Sequence, residues 1–344
     1  MTVGFVYDPI YLKHNTGQHP ENAKRLEAII SHLEQTGLKQ RLVPIAPRPA
    51  TTGELSLVHD VDYIKHIQEV AEKGGGWLDS DTVMSADSYK AASYAAGGVI
   101  AATEAVMDGG ITSAFALVRP PGHHATPRRV MGFCLFNNVA IAAKYALAKY
   151  KLEGIAIVDF DVHHGNGTQD AFYDEPRVLY ISTHQYPHYP GTGAIDETGV
   201  GAGEGTTVNI PLPSGCGDSE YQMVFEEIIV PVVGRFKPQL ILVSAGYDGH
   251  WADEMAMMQV TVTGFARMVS IIKSMADELC RGRLVFSLEG GYDLAALSSS
   301  VRATFDVLLG KTDVEDKLGR SPYSGQPQDI TSLMAKIKKI HSLL

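Results

Sequence analysis

Apolar and polar positions along the chain fall into two recurring patterns. Short runs rich in Val and Ile, almost free of charge, occur at VGFVY (3–7), AFALV (114–118), IAIVDF (155–160), VLYIS (178–182), LILVSAG (240–246) and LVFSLEGG (284–291). Runs of this length and continuity read as strands buried on both faces. Between them lie stretches with helical spacing and good helix formers, such as NNVAIAAKYALAKY (137–150) and EYQMVFEEIIVPVVGRF (220–236). A further helix is predicted over 21–36, opening after Pro20 and stopping before Gly37. Strands that alternate with helices predict an α/β fold with a parallel sheet covered on both faces. No low-complexity or linker-like stretch divides the chain and no internal repeat is visible. One domain over 1–311 is expected, followed by a looser helical tail over 312–344.

The pattern breaks where strands end. IAIVDFDVHHGNGTQ (155–169) closes an apolar strand with Asp159, Asp161, His163 and His164. After AFALV come Pro120, Pro121, Gly122, His123 and His124; after LILVSAG comes Asp248; after LVFSLEGG comes Tyr292. In an open α/β sheet the ligand site lies beyond the carboxyl ends of the strands, so four such ends converge on one chemistry. Asp161 and His163, two apart on an extended segment, would face the same side. With Asp248 they offer one nitrogen and two carboxylates, the pattern of a catalytic zinc site with an open fourth position. Asp159 has the same parity and could orient an imidazole from behind. One of His123 and His124, fixed by the rigid turn before them, suits a general base near neutral pH. Tyr292, after Gly290 and Gly291, could donate a hydrogen bond to a developing oxyanion, a contribution of about 3 kcal/mol per donor. Together these parts describe metal-assisted hydrolysis of a carbonyl compound.

Composition narrows the partners. Of 344 residues, 45% are hydrophobic and 20% charged, enough for a large core. Lys plus Arg number 29 against 39 Asp plus Glu, a net charge of −10 with no basic run, which argues against nucleic acid as partner. The acidic balance mildly favours cationic substrates through steering. Cys134, Cys216 and Cys280 are too few and too scattered for a disulfide framework or a Cys-x-x-Cys metal site. The first residues lack a secretory pattern, and no run of eighteen apolar residues occurs; a soluble, cytoplasmic protein without a membrane partner is expected.

RPPGHHA, GFCLFNNVAIAA, DFDVHHGNGTQ, SAGYD and LEGGYD, as a set, resemble the zinc-dependent histone deacetylase superfamily, which also holds acetylpolyamine amidohydrolases and acetoin-utilisation proteins. The resemblance spans about residues 3–310. It implies the arginase/deacetylase fold, with an eight-stranded, mostly parallel sheet. It also implies that Asp161, His163 and Asp248 hold zinc and that His124 is the general base. His123 would be the partner imidazole paired with Asp159, and Tyr292 would polarise the scissile carbonyl. His124 would face Asn166, and asparagine at that place resembles the class II branch. The family's monovalent cation, usually potassium, would draw oxygens from Asp159, Asp161, His163, Ser182 and Thr183. MGFCLF and YPHYPGTG resemble the acyl-lysine tunnel, with Phe133 and Tyr189 flanking the methylene stem and Gly132 near the amide. HPENAKR resembles the class II N-terminal motif and would place Arg25 near an inner, acetate-releasing cavity. From composition alone Phe133 reads equally as core, and Arg25 as an exposed helix residue. The rim acid is Asp79 or Asp81.

The implied substrate is an N6-acyl-lysine in a protein or peptide, most simply acetyl-lysine, with acetate and free amine as products. An acetylated polyamine is the alternative for the same machinery. Counting from Asp248 puts Met255 at the position that polyamine-selective relatives guard with an acid, although Glu254 is adjacent. An arginase-like ureohydrolase would need two metals and D-x-H-x-D signatures, whereas here the order is D-x-D-x-H. A non-catalytic acyl-lysine binding module conflicts with retention of both histidines and Tyr292.

Overall fold

In the computed structural model, which describes residues 2–322 and 325–343, the apolar runs become strands. In chain order these are β1 (Val3–Val6), β2 (Val43–Ile45), β3 (Gly75–Trp77), β4 (Val83–Ser85), β5 (Ser113–Ala116), β6 (Ile155–Asp159), β7 (Val178–Gln185), β8 (Thr207–Leu212), β9 (Leu240–Ala245) and β10 (Leu284–Leu288). Eight of them form one sheet in the order β2-β1-β5-β10-β9-β6-β7-β8, while β3 and β4 pair as a small antiparallel hairpin. Every pairing in the large sheet is parallel, so the expectation of a mostly parallel sheet is sharpened. Strands β1, β5, β6, β7, β9 and β10 are buried along their whole length, as continuous apolar runs require.

The two outer strands have no counterpart in the apolar pattern. Three-residue β2 carries Pro44, tolerated because an edge strand need not donate on its open side. At the other edge β8, TVNIPL, mixes Thr207, Asn209 and Pro211 into its run.

Helix boundaries follow local chemistry. The first long helix spans Lys24–Gln35 rather than 21–36. Asn22 breaks its start by accepting the Lys24 N–H at 2.9 Å and donating to the His19 carbonyl at 2.7 Å. Helix Asn138–Tyr150 begins under the Asn137 cap, whose side chain accepts from Ala140 N–H at 3.1 Å. The stretch expected as one helix over 220–236 is three pieces: α over Asp218–Val224, π over Phe225–Ile229 and α over Val230–Phe236. Pro231 cannot donate into the ladder, and the turn just ahead of it widens. In the tail, helix Thr331–Ile340 lays Met334 and Ile337 on the core, and the His341 carbonyl accepts from Arg235 at 2.7 Å. Among the described residues no helix is long and apolar enough to cross a membrane.

The four strands with unusual ends, β5, β10, β9 and β6, are immediate neighbours in the sheet. Their carboxyl ends therefore open onto one place. The N-terminal segment is tied to this region by a buried ionic cluster. Glu21 accepts from Arg119, just beyond β5, at 2.5 and 2.8 Å and from Arg25 at 3.2 Å; His14 Nε2 lies 3.5 Å away. Arg119 also donates to the carbonyls of Tyr11 at 2.9 Å and His14 at 3.2 Å. Arg25 is fully buried, which corrects the composition-based reading of an exposed helix residue.

Burial would raise the Glu21 carboxyl, but the charge and hydrogen bonds of Arg119, with His14 and Arg25 behind, bring it down to about 2. Burial lowers the His14 imidazole to about 4, Glu21 opposing and Arg119 assisting. Both groups bind protons less readily folded than unfolded. Their contribution to stability is complete above about pH 6.5. It falls through the His14 window from about 6.5 to 4 and the Glu21 window from about 4.5 to 2. Urea unfolding across this range is expected to show stability declining with falling pH. Glu21→Gln should remove the lower part of that dependence and cost about 3–5 kcal/mol at neutral pH, because it strands buried Arg119. An unfolding free energy unchanged by Glu21→Gln would contradict the cluster's role.

Candidate functional site

Strand β6 stops at Asp159, so the turn that follows, rather than strand parity, brings Asp161 and His163 together. Asp159 Oδ1 accepts the Asp161 N–H at 3.2 Å, and Asp161 Oδ1 accepts the His163 N–H at 2.9 Å. His163 Nδ1 then lies 3.0 Å from Asp161 Oδ1 and 3.2 Å from Asp248 Oδ2. Asp248 Oδ1 accepts the Val162 N–H at 3.1 Å, while its buried Oδ2 has no polar partner but the His163 ring nitrogen. The three ligand atoms lie within 4.8 Å of one another, and among the described residues this is the one such cluster.

Electrostatics marks the same point as short of positive charge. Burial and the Asp161 charge raise the Asp248 carboxyl, His163 opposing them. Burial would also raise Asp161, yet His123 and His163 hold it far below the carboxylate range. Burial pushes the His163 imidazole down, but hydrogen bonding and charge from Asp161 and Asp248 carry it up to about 10. A buried carboxylate oxygen that no backbone N–H or hydroxyl reaches, beside a second carboxylate and an imidazole nitrogen, fits a divalent cation that accepts N and O donors. Three protein ligands leave a coordination position free.

The adjacent histidines are held in different states. His123 Nδ1 is 3.1 Å from Asp159 Oδ2, which also accepts the Tyr180 hydroxyl at 3.1 Å. Burial lowers His123, but Asp161 and Asp159 outweigh it and raise the imidazole to about 10. His124 Nδ1 is 2.8 Å from Asn166 Oδ1. An amide oxygen only accepts, so the His124 proton sits on Nδ1 and Nε2 keeps its lone pair; Asn166 Nδ2 donates to the His124 carbonyl at 3.4 Å. Burial, then the charges of His123 and His163, push His124 well below its ordinary range. Two imidazoles pushed in opposite directions thus stand with ring centroids 4.0 Å apart.

Above them is a cavity of about 240 Å³ whose lining includes Gly132, Phe133, Tyr189, Met255 and Tyr292. Gly132, at φ +55°, lies against His124: a Cβ there would come within 2.2 Å of His124 Cδ2. Phe133, at φ +69°, meets the Tyr292 ring edge-on with centroids 5.8 Å apart. Tyr189 stands edge-on to His124 at 5.2 Å. Burial raises the Tyr292 phenol well above its ordinary range, Arg25 opposing, so it remains an O–H donor. Of the two rim acids, Asp81 lines the cavity. Asp79 turns into its own loop, accepting the N–H groups of Asp81 at 3.0 Å and Thr82 at 2.7 Å.

Other expected residues lie outside the cavity wall. Arg25 is behind Tyr292, its guanidinium 4.9 Å from the ring centroid, donating to the Gly291 carbonyl at 2.6 Å and the Glu289 carbonyl at 2.5 Å. Ser182 is the register partner of Asp159 on β7, and its hydroxyl is 2.9 Å from His184 Nδ1. The Thr183 hydroxyl is 3.5 Å from the Asp159 carbonyl.

Three residues of the site escaped the sequence analysis. Glu289, fully buried, accepts the N–H groups of Gly122 at 2.7 Å and His123 at 3.2 Å and the Ser244 hydroxyl at 3.0 Å. Burial raises its carboxyl to about 7, with His123 opposing. Its signal was present: an acid closing an apolar run, as at Asp159. His188, inside the YPHYPGTG stretch but not singled out there, lines the cavity and stacks on His163 at 5.2 Å, and Asp253 anchors the loop beyond Asp248.

Residues 19–308 match the family described as Histone deacetylase domain. Histone deacetylase 14, chloroplastic, of Arabidopsis thaliana is 42% identical over 351 residues, covering 96% of this chain and 83% of the relative. The "Probable deacetylase" of Archaeoglobus fulgidus is 46% identical over 297 residues, covering 86% of this chain and 82% of the relative. The solved HDA15 HD domain superposes with a TM-score of 0.90 at 35% identity, covering 99% of this chain and 96% of that one. The arginase/deacetylase fold expected from the sequence is therefore the fold observed.

Gly290 has no room for a side chain. A Cβ there would lie 2.0 Å from Asp248 Oδ2 and 2.6 Å from Asp161 Oδ2. Gly290→Ala is expected to displace these carboxylates and, if the triad takes a divalent ion such as zinc, to weaken its binding by about 10- to 100-fold. Zinc titration of the apo-protein checks this; wild-type affinity would mean the two carboxylates are free to move.

Proposed function

Because the chain belongs to the histone deacetylase family and is a deacetylase of acetyl-lysine-type amides, we propose that it hydrolyses N6-acetyl-lysine with zinc held by Asp161, His163 and Asp248. The observation that carries this reading is the pair of imidazoles with different partners, a carboxylate for His123 and an amide for His124, beside a metal-competent triad at the base of an aromatic-walled cavity. Bound zinc supplies Lewis acidity toward the substrate carbonyl and lowers the pKa of a water molecule.

The protein's own groups divide the remaining work. Phe133 and Tyr189 hold the methylene stem between aromatic faces and exclude water, with Gly132 close to the amide. His124 Nε2, whose lone pair is free because Nδ1–H points to Asn166, takes a proton from the attacking water. It then returns the proton to the departing amine. His123, held cationic by Asp159, stabilises negative charge developing nearby. Tyr292, kept protonated by burial, donates to the carbonyl oxygen as its charge grows. Opposed pKa shifts on neighbouring groups are how one site keeps both a base and a cation at neutral pH.

Met255 lines the cavity, whereas Glu254 faces a neighbouring groove. An apolar residue at that wall supports lysine over polyamine. Potassium is proposed near the ends of β6 and β7, where Asp159, Ser182 and Thr183 are buried side by side and backbone oxygens would join the Asp161 and His163 turn.

Tyr292→Phe is expected to retain zinc and lose about a hundredfold or more in kcat, the effect of removing one oxyanion donor. Near-wild-type turnover would remove Tyr292 from the mechanism. Substrate class is tested by kcat/KM on an acetyl-lysine peptide and an N-acetylated polyamine, side by side. The peptide is expected to be preferred; preference for the polyamine would overturn the lysine assignment while leaving the chemistry intact.

A further inference from the structure

The loop carrying Tyr292 follows two glycines, and Gly291 sits at φ +114°. Asp293 caps the helix that follows, its side chain accepting the Ala296 N–H at 2.8 Å, but the glycines leave the approach to Tyr292 free to turn, so its position there depends on contacts from elsewhere. Gly290 N–H is held by Asp161 Oδ2 at 2.8 Å, and the Gly291 carbonyl is held by Arg25. At Tyr292 itself the hold comes from Asp253. Its Oδ2 accepts the N–H groups of Tyr292 at 2.6 Å and Asp293 at 2.9 Å, across 39 and 40 residues of sequence.

The other oxygen of the same carboxylate holds a second residue that lines the cavity. Asp253 Oδ1 accepts the Met255 N–H at 3.0 Å. The Met255 carbonyl accepts from His188 Nε2 at 3.0 Å, which joins this loop to the one that carries Tyr189. Asp253 is buried, so no water competes for these bonds. A lone carboxylate serving a local turn would need only the Met255 bond. The two long-range bonds reach the cavity residue on the opposing loop.

We infer that Asp253 is a positioning residue that sets Tyr292 against the Met255 wall, and so fixes where the phenol meets the substrate carbonyl. The inference rests on the reading of Tyr292 as the donor to that oxygen. Both lining residues depend on one rigid group, and a misplacement of 1 Å at a reacting centre can cost about a hundredfold. Asparagine cannot replace the carboxylate. It offers one acceptor oxygen and turns an N–H₂ toward an N–H, so either Met255 or the Tyr292 and Asp293 pair loses its acceptor.

A double-mutant cycle tests this with wild-type, D253N, Y292F and the double variant. kcat and KM are measured on an acetyl-lysine peptide and scaled to zinc content. If Asp253 acts through Tyr292, D253N lowers kcat about tenfold or more with the phenol present, and less than about threefold once Tyr292→Phe has removed it. Equal losses in the two backgrounds would overturn the inference, because a merely structural role multiplies through. Wild-type kcat in D253N would overturn it as well. Y292F turning over like wild-type sinks the premise about Tyr292 instead, and the two failures are thereby distinct. Should D253N not yield zinc-loaded protein, D253E keeps both acceptor oxygens but moves them by one methylene. It enters the same cycle and is read the same way.

Discussion

Four carboxylates, Asp159, Asp161, Asp248 and Glu289, are buried together at the ends of neighbouring strands, and the cost of removing that charge from water governs the site. Each buried ion costs several kcal/mol unless opposite charge and hydrogen bonds compensate. Backbone N–H groups from Gly122, Asp161, Val162, His163 and Gly290 point at these oxygens, and His123 and His163 are driven toward their cationic forms. Compensation remains incomplete, for Asp159, Asp248 and Glu289 are all raised by burial. A dication among Asp161, His163 and Asp248 would complete it. The charge imbalance that would destabilise an ordinary core would here favour a bound metal ion.

Close approach is the second requirement, and it explains the glycines that punctuate each strand end. A Cβ at Gly246 would lie 2.0 Å from Asp161 Oδ2, and one at Gly165 would lie 2.3 Å from Asp159 Oδ2. These positions need space rather than an unusual φ. Such glycines let carboxylates sit directly on the backbone of the next strand end, where N–H groups can reach them. The apolar strands beneath supply a rigid floor, since cores packed on both faces deform little. The first layer of the site is thus placed by turns whose geometry the buried charges themselves enforce.

How much of this was legible in sequence follows from the same physics. Strands buried on both faces must be apolar, so β1, β5, β6, β7, β9 and β10 announced themselves, and acids or imidazoles at their ends stood out. Edge strands face milder demands: β2 and β8 tolerate proline and polar residues and lost the signal. Composition read Arg25 only as charge, and the HPENAKR resemblance alone placed it inside, because its burial depends on Glu21 and the loop carbonyls reached through the fold. Asp253 is harder still. Its partners at Tyr292 and Asp293 are 39 and 40 residues away, and a lone acid in a polar loop is more often solvated. Sequence pattern reports what an element must bury; it is nearly silent on which distant backbone group a side chain will hold.

Those distant holds form a closed circuit. Glu21 grips Arg119, which leads through Pro120 and Pro121 into the His123–His124 turn. That turn is gripped by the Glu289 carboxylate, whose own backbone carbonyl receives Arg25, and Arg25 returns to Glu21. His124 and Tyr292, on loops far apart in sequence, are therefore fixed relative to each other through buried, charge-assisted bonds that water does not screen. A divalent ion held by Asp161, His163 and Asp248 would not by itself do this, because none of the three lies on the His123–His124 turn or on the Tyr292 loop. The N-terminal segment before the first long helix is accordingly part of the site's frame, and loosening it would cost alignment of the reacting groups before it cost the sheet.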